Sequence, residues 1–258
     1  MPVTIAHPAA VIPLRRYLPF SALIVGSLSP DFEYPLRLAA VSRFSHTLPG
    51  ILYFCVPVGL LCLWLFHRVI QQPAILLLPS FVRRRFGVLL PPFDFWPARR
   101  FLLLALALAV GALTHVAWDS LTHPYGWVVE RCPLLQATAF SLSGHEFQLF
   151  KLLQYGTSLL GLFVLLLFFM NWLRKTPARN ADSSTRLPER VRRRIVAAIV
   201  LLTLAASIGL GLWSAVFEGG FFMVQVFVVE GIIGAMIGFA AGLLVYSLIF
   251  RFGPRLTQ

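Results

Sequence analysis

From Phe101 to Ala117 the chain carries no Lys, Arg, Asp or Glu. An apolar run of this kind matches the roughly 20 helical residues needed to cross the hydrocarbon core of a bilayer. Four more stretches qualify, at about Gly50 to Phe66, Leu152 to Trp172, Ile195 to Val216 and Phe222 to Phe250. The last is long enough to tilt or to begin at the interface. Only 12% of the 258 residues are charged, against about a quarter in soluble domains. The expected fold is therefore all-α, an integral membrane helical bundle of about five transmembrane helices. Leu18 to Leu28 is apolar but short and bounded by proline, so it is read as a re-entrant or interfacial element.

The formal charge of +12 excludes little by itself. No aromatic-basic motif accompanies it, so nucleic acid is not an expected partner. The basic residues instead cluster beside apolar runs, where they set topology and meet anionic lipid headgroups. Arg68, Arg83, Arg84, Arg85, Arg99 and Arg100 lie between the first two spans. Arg174, Lys175, Arg179, Arg186, Arg190, Arg192, Arg193 and Arg194 lie between the third and fourth, and Arg251 and Arg255 follow the last. Arg15, Arg16, Arg37, Arg43, Arg131 and Lys151 remain on the other side. The excess of arginine predicts that the basic loops are cytoplasmic and the opposite loops external, in an inner (plasma) membrane. Met1 to Ala10 lacks the basic start and apolar core of a secretory signal, so insertion is expected to rest on the first span. Cys55, Cys62 and Cys132 do not form a disulfide framework.

This divides the chain into a membrane domain over residues 1–172, a basic cytoplasmic linker over 173–194, and a C-terminal transmembrane hairpin over 195–258. Gly231, Gly234, Gly238 and Gly242 repeat every third or fourth residue in the last span. Such a stripe packs helices closely, within one chain or in a homo-oligomer.

At the end of the second apolar run stand His115, Asp119 and His123, each four residues apart. On a helix these positions share one stripe. Ionisable groups at membrane depth cost a few kcal/mol each, and imidazole with carboxylate is a donor set for zinc. These groups either cap the helix end and bond to headgroups or each other, or bind metal, in which case His115 and Asp119 can share one ion, as an i, i+4 pair does. His123 lies about 12 Å along the axis from His115 and cannot join it on an unbroken helix. Asp119 sits midway and suits a bridging role between two ions. Pro124 follows His123, which is therefore free to turn toward a separate ion. The predicted topology brings His7, Asp31 and His46 to the same membrane face as this stripe.

Other polar residues carry less. Asp31 after Pro30 fits a helix N-cap, and His46 fits an interfacial anchor. Glu230 is expected to precede the last helix, although an intramembrane proton or ion group is the other reading. Trp118, Tyr125 and Trp127 fit an interfacial aromatic belt, with the lining of a lipid pocket as the other reading. No HExxH occurs, so a zincin-type protease is not expected.

The order His, Pro-Asp, His and HxxxD with a further His resembles the zinc-dependent phospholipase C and P1-nuclease group, and the membrane-bound metal-dependent hydrolases. The phrases Ala6-His7-Pro8-Ala9, Ser29-Pro30-Asp31-Phe32-Glu33 and Ser45-His46-Thr47-Leu48-Pro49-Gly50 look closer still to a bacterial multi-pass membrane family with a domain of unknown function. The same holds for His115 to His123 and Lys151 to Gly156, so the resemblance covers about residues 1–170. It implies that Asp31, His46, His115 and Asp119 hold one ion and that His7 joins Asp119 on a second. The phospholipases' downstream HxxxE is absent, since His145 and Glu146 are adjacent, and so is their processed N-terminal tryptophan.

The expected activity is hydrolysis of a phosphoester at the external membrane surface, with Zn2+ held by His7, Asp31, His46, His115, Asp119 and His123. Asp119 and Asp31 are the expected catalytic carboxylates. Membrane lipids are the expected partners, and a lipid headgroup the expected substrate. The rival expectation is a non-catalytic protein with a structural ion, or one that handles metal ions itself.

Overall fold

The computed structural model describes residues 4–86, 93–142, 145–178, 187–218 and 223–253. Among the expected features, Arg179, Arg186, Arg255 and the Phe222 start of the fifth run lie outside the described residues. The chain forms two compact units, each assembled from separate pieces. One comprises Met1–Phe32, Ser42–Leu61 and Phe95–Asn171; the other comprises Glu33–Val41, Cys62–Asp94 and Trp172–Gln258.

The short helices α1 (Pro8–Val11), α2 (Phe20–Leu28) and α3 (Glu33–Arg37) come first. The long helix α4 (Leu48–Leu77) follows, then α5 (Ser80–Phe86) and α6 (Ala98–Thr122). Next are α7 (Trp127–Arg131), α8 (Pro133–Gln136) and a hairpin of β1 (Thr138–Leu142) with β2 (His145–Gln148). Helices α9 (Leu149–Lys175), α10 (Glu189–Glu218) and α11 (Met223–Phe252) complete the chain. Among the described residues five helices, α4, α6, α9, α10 and α11, are long and apolar enough to cross a membrane. The protein is an all-α, multi-pass membrane protein.

The helices outrun the apolar stretches that announce them. Helix α4 continues to Leu77 through two single π-turns, at Ile51–Cys55 and Phe66–Ile70. Helix α6 continues past Ala117 to Thr122 and so carries Asp119 within its last turns. It stops where Pro124 forces the preceding residue out of the helical region, and His123 is extended at φ −115° and ψ 147°. The antiparallel hairpin after α8 was not expected, because its strands are short and join across an irregular register.

In the first unit α2 packs on α6 with backbones nearly touching. A Cβ on Gly26 would meet the backbone of Leu108, and one on Gly111 would fall 2.7 Å from the amide of Ser27. Small residues allow this approach, which is how helices gain contact where lipid removes the hydrophobic drive. In the second unit the glycine stripe of α11 is used within the chain. Gly234 faces the backbone of Ala206, and a Cβ on Gly238 would lie 2.8 Å from the Cα of Thr203, both on α10. Leu187, Ile199 and Tyr246 form a buried cluster beside it. Helix α11 begins at Met223, upstream of Glu230, and thereby corrects the expectation that the helix starts after that residue. The Glu230 carboxylate accepts a hydrogen bond from the Ala40 amide at 3.1 Å, which satisfies one of its oxygens.

Candidate metal centre

The close contact of α2 with α6 sets the first candidate ligand. His115 is fully buried on α6, and its Nδ1 lies 2.7 Å from the carbonyl oxygen of Ser27. A carbonyl only accepts, so Nδ1 carries the proton and the Nε2 lone pair points the other way. Two carboxylate oxygens stand there, Asp119 Oδ2 at 3.3 Å and Asp31 Oδ1 at 3.5 Å. Nε2 is buried and makes no aligned hydrogen bond. A lone pair facing two carboxylates in a buried site requires a cation between them, either a proton or a metal ion. Donation of the second ring N–H to a backbone carbonyl is also the habit of metal-ligating histidines.

His46 reaches the same point from the segment before α4. Its Nε2 is 3.6 Å from Asp31 Oδ1 and 3.5 Å from Asp119 Oδ2. Its Nδ1 hydrogen bonds with the hydroxyl of Ser42 at 2.6 Å, which fixes the ring. Donor atoms of Asp31, His46, His115 and Asp119 thus all lie within 4.8 Å of one another. Tetrahedral ligands bonded to zinc at about 2.0–2.2 Å sit about 3.3–3.6 Å apart. The four His–Asp edges match that spacing, so the residues present suit such an ion.

Asp119 turns its other oxygen toward His7. His7 is buried, its Nε2 lies 3.1 Å from Asp119 Oδ1, and its Nδ1 lies 3.2 Å from the carbonyl of Thr4. The same argument leaves a lone pair on Nε2 unless His7 is protonated. The His7 and His115 rings stack at 3.8 Å, so protonating both would place two like charges face to face. Asp119 therefore addresses two positions, one with each oxygen. Thr4 Oγ1 donates to Asp31 Oδ2 at 2.5 Å and orients that carboxylate.

His123 stands at the rim. Its Nδ1 is 3.5 Å from Asp119 Oδ1 and 3.2 Å from the Asp119 carbonyl, and its Nε2 is 3.4 Å from Gln154 Nε2. Both ring nitrogens are engaged, and His123 is not one of the four clustered donors. The side chains of His46 and His123 are 24% and 26% exposed, so the cluster opens along this edge.

Two titratable groups here lie outside the long helices. Burial acts to raise the Asp31 carboxyl, but its interactions with His115 and the Thr4 hydroxyl outweigh it and hold the group below its ordinary range. Burial pushes His123 below its ordinary value, only partly opposed by Asp119.

The structure thus brings His7, Asp31, His46, His115, Asp119 and His123 into one neighbourhood. It adds supporting groups the sequence did not single out, namely the Ser27 carbonyl, Thr4 and Ser42. Gln154, from the Lys151–Gly156 phrase, and Trp118 also stand here, the Trp118 ring 5.2 Å from that of His7. Tyr125 and Trp127 are exposed. The adjacent pair His145 and Glu146 lies on β2, where Glu146 accepts from Thr138 at 3.1 Å.

Fold and site together define a multi-pass helical membrane protein with a buried His–Asp cluster suited to a divalent cation. Residues 1–248 match the family described as Domain of unknown function (DUF4184), and the chain belongs to that family. No curated protein and no solved structure matches the chain.

Proposed function

We propose that this protein is a membrane-embedded, metal-dependent hydrolase that cleaves a phosphoester of a lipid headgroup or a headgroup-like molecule. The observation that supports it most is the donor set. Two imidazoles and two carboxylates converge, and no thiolate takes part. Structural zinc sites draw chiefly on cysteine, whereas hydrolytic ones combine histidine with carboxylate. A divalent ion bound there, zinc by this donor chemistry, supplies an activated water and polarises a phosphoryl oxygen.

In this reading Asp31, His46, His115 and Asp119 hold the ion, and His7 with Asp119 Oδ1 offers a second position. The Ser27 carbonyl keeps the His115 lone pair aimed inward. Asp31 and Asp119 are the carboxylates placed to orient a water or accept its proton. The exposed edge at His46 and His123 is the route by which a headgroup arrives. We place this edge on the external face of the plasma membrane, because sixteen of the 22 basic residues lie in the segments assigned to the cytoplasmic side.

One observation favours a second reading. The four protein donors suffice for a tetrahedron without any water, as in a closed structural site or a protein that handles the ion itself. Incubating the metal-loaded protein with a panel of phospholipids and measuring released phosphorylated headgroup separates the two. The hydrolase reading expects release that Asp119→Ala and chelator abolish. Metal-loaded protein that releases nothing from any member supports the closed site instead.

A further inference from the structure

Beside the cluster runs an apolar groove of about 390 Å³, formed by α1, α6 and α9. Its walls include Ala9 and Ala10 from α1, Leu121 from α6, and Leu153, Leu160 and Val164 from α9. Three lining residues carry polar atoms, and each of them is already engaged. The Trp118 indole donates to Thr157 Oγ1 at 3.0 Å, Thr157 donates to the Leu153 carbonyl at 2.6 Å, and Thr122 donates to the Trp118 carbonyl at 3.1 Å. The groove therefore offers an occupant no free hydrogen-bond donor. A headgroup, a peptide or a sugar would lose its water there for little in return. An alkyl chain loses nothing.

Length and position narrow the occupant further. From Leu153 to Val164 the groove follows α9 for about 16 Å, close to half of a hydrocarbon core of about 30 Å. That is the depth of one leaflet, the reach of one acyl chain. One end abuts the cluster, since Thr122 precedes His123 and Leu153 precedes Gln154, which approach each other at 3.4 Å. Ala9 and Ala10 follow His7 directly, and Trp118 forms a wall between groove and cluster with its ring 5.2 Å from that of His7. We propose that this groove seats one acyl chain of a membrane lipid and thereby presents the lipid's headgroup to the His–Asp cluster. This names the substrate class of the site described above and rests on the hydrolase reading for its purpose, though not for its geometry.

The test uses the full-length protein in phosphatidylethanolamine–phosphatidylglycerol vesicles containing a phospholipid with a diazirine midway along one acyl chain. After irradiation, labelled peptides are mapped by mass spectrometry. The expected result is labelling concentrated on residues 153–164 and 118–122. Leu160→Trp, at a position 60% exposed and outside the cluster, should fill the groove and lower that labelling severalfold, with metal content unchanged. Ala10→Phe, which narrows the groove from the opposite wall, serves as a second variant. Labelling spread evenly over the long helices, or indifferent to both substitutions, overturns the proposal. Intact groove labelling on a protein that binds no metal would instead remove the hydrolase reading and leave the lipid site standing.

Discussion

The Nδ1 of His115 lies 2.7 Å from the carbonyl oxygen of Ser27, on a helix that touches α6 through Gly26 and Gly111. A helix–helix contact thereby decides which imidazole nitrogen faces the carboxylates. The packing of α2 and the chemistry of the cluster are one feature. Neither can be altered without the other.

Gly111→Leu should show this. A Cβ there would fall 2.7 Å from the Ser27 amide and closer still to the Leu23 carbonyl, so α2 must move away. Overpacking of this kind costs about 1–3 kcal/mol or more. We expect a lower thermal midpoint and a loss of bound metal, although no ligand is replaced. A metal content equal to wild type would mean that His115 is aimed by something else.

His7→Ala distinguishes one ion from two. It removes the partner of Asp119 Oδ1 and leaves the four clustered donors in place. If two ions bind, the metal-to-protein ratio should fall from about two toward one. An unchanged ratio of one assigns His7 to orienting Asp119.

Acid should destabilise the chelator-treated protein in two stages. His123 is held below its ordinary value, so the unfolded chain takes up that proton first. Stability then falls as pH drops below about 6.5. Asp31 is likewise held low, so its contribution is complete above about pH 4 and is lost as pH falls through the lower folded value. Thermal unfolding across pH 3–8 reads both stages, and His123→Gln should flatten the upper one. Metal affinity should also weaken as pH falls, because ligating imidazoles must be unprotonated.

Glu230 gives a control far from the cluster. Glu230→Ala removes the acceptor of the Ala40 amide and should cost about 1–3 kcal/mol for the donor left behind. Glu230→Gln keeps an acceptor and should cost much less. Equal losses in thermal unfolding would show that the side chain matters through its charge.

Much of the cluster was legible because helix spacing is strict. His115 and Asp119, four residues apart, do meet at 3.3 Å. The arginine clusters brought His7, Asp31 and His46 to the same predicted face, and the structure places His7 and His46 against Asp119 and Asp31 against His46 and His115. What escaped was carried by the backbone. The Ser27 carbonyl has no residue signature, and any side chain would have supplied the same oxygen. Gly26 and Gly111 were the available hint, as small residues in apolar runs that let two helices touch. The end of α6 was legible too, since Pro124 stops the helix at Thr122, with His123 as its cap. Glu230 was misplaced because nothing local announces its partner, 190 positions away.

Whether the His–Asp cluster binds a divalent metal ion is decided by elemental analysis of the purified wild-type protein beside His115→Ala. We expect one to two equivalents of a divalent metal, zinc foremost, in the wild type and a loss of it in a folded His115→Ala protein. A wild type that carries no such metal after incubation with zinc, or a variant that retains all of it, would contradict this expectation.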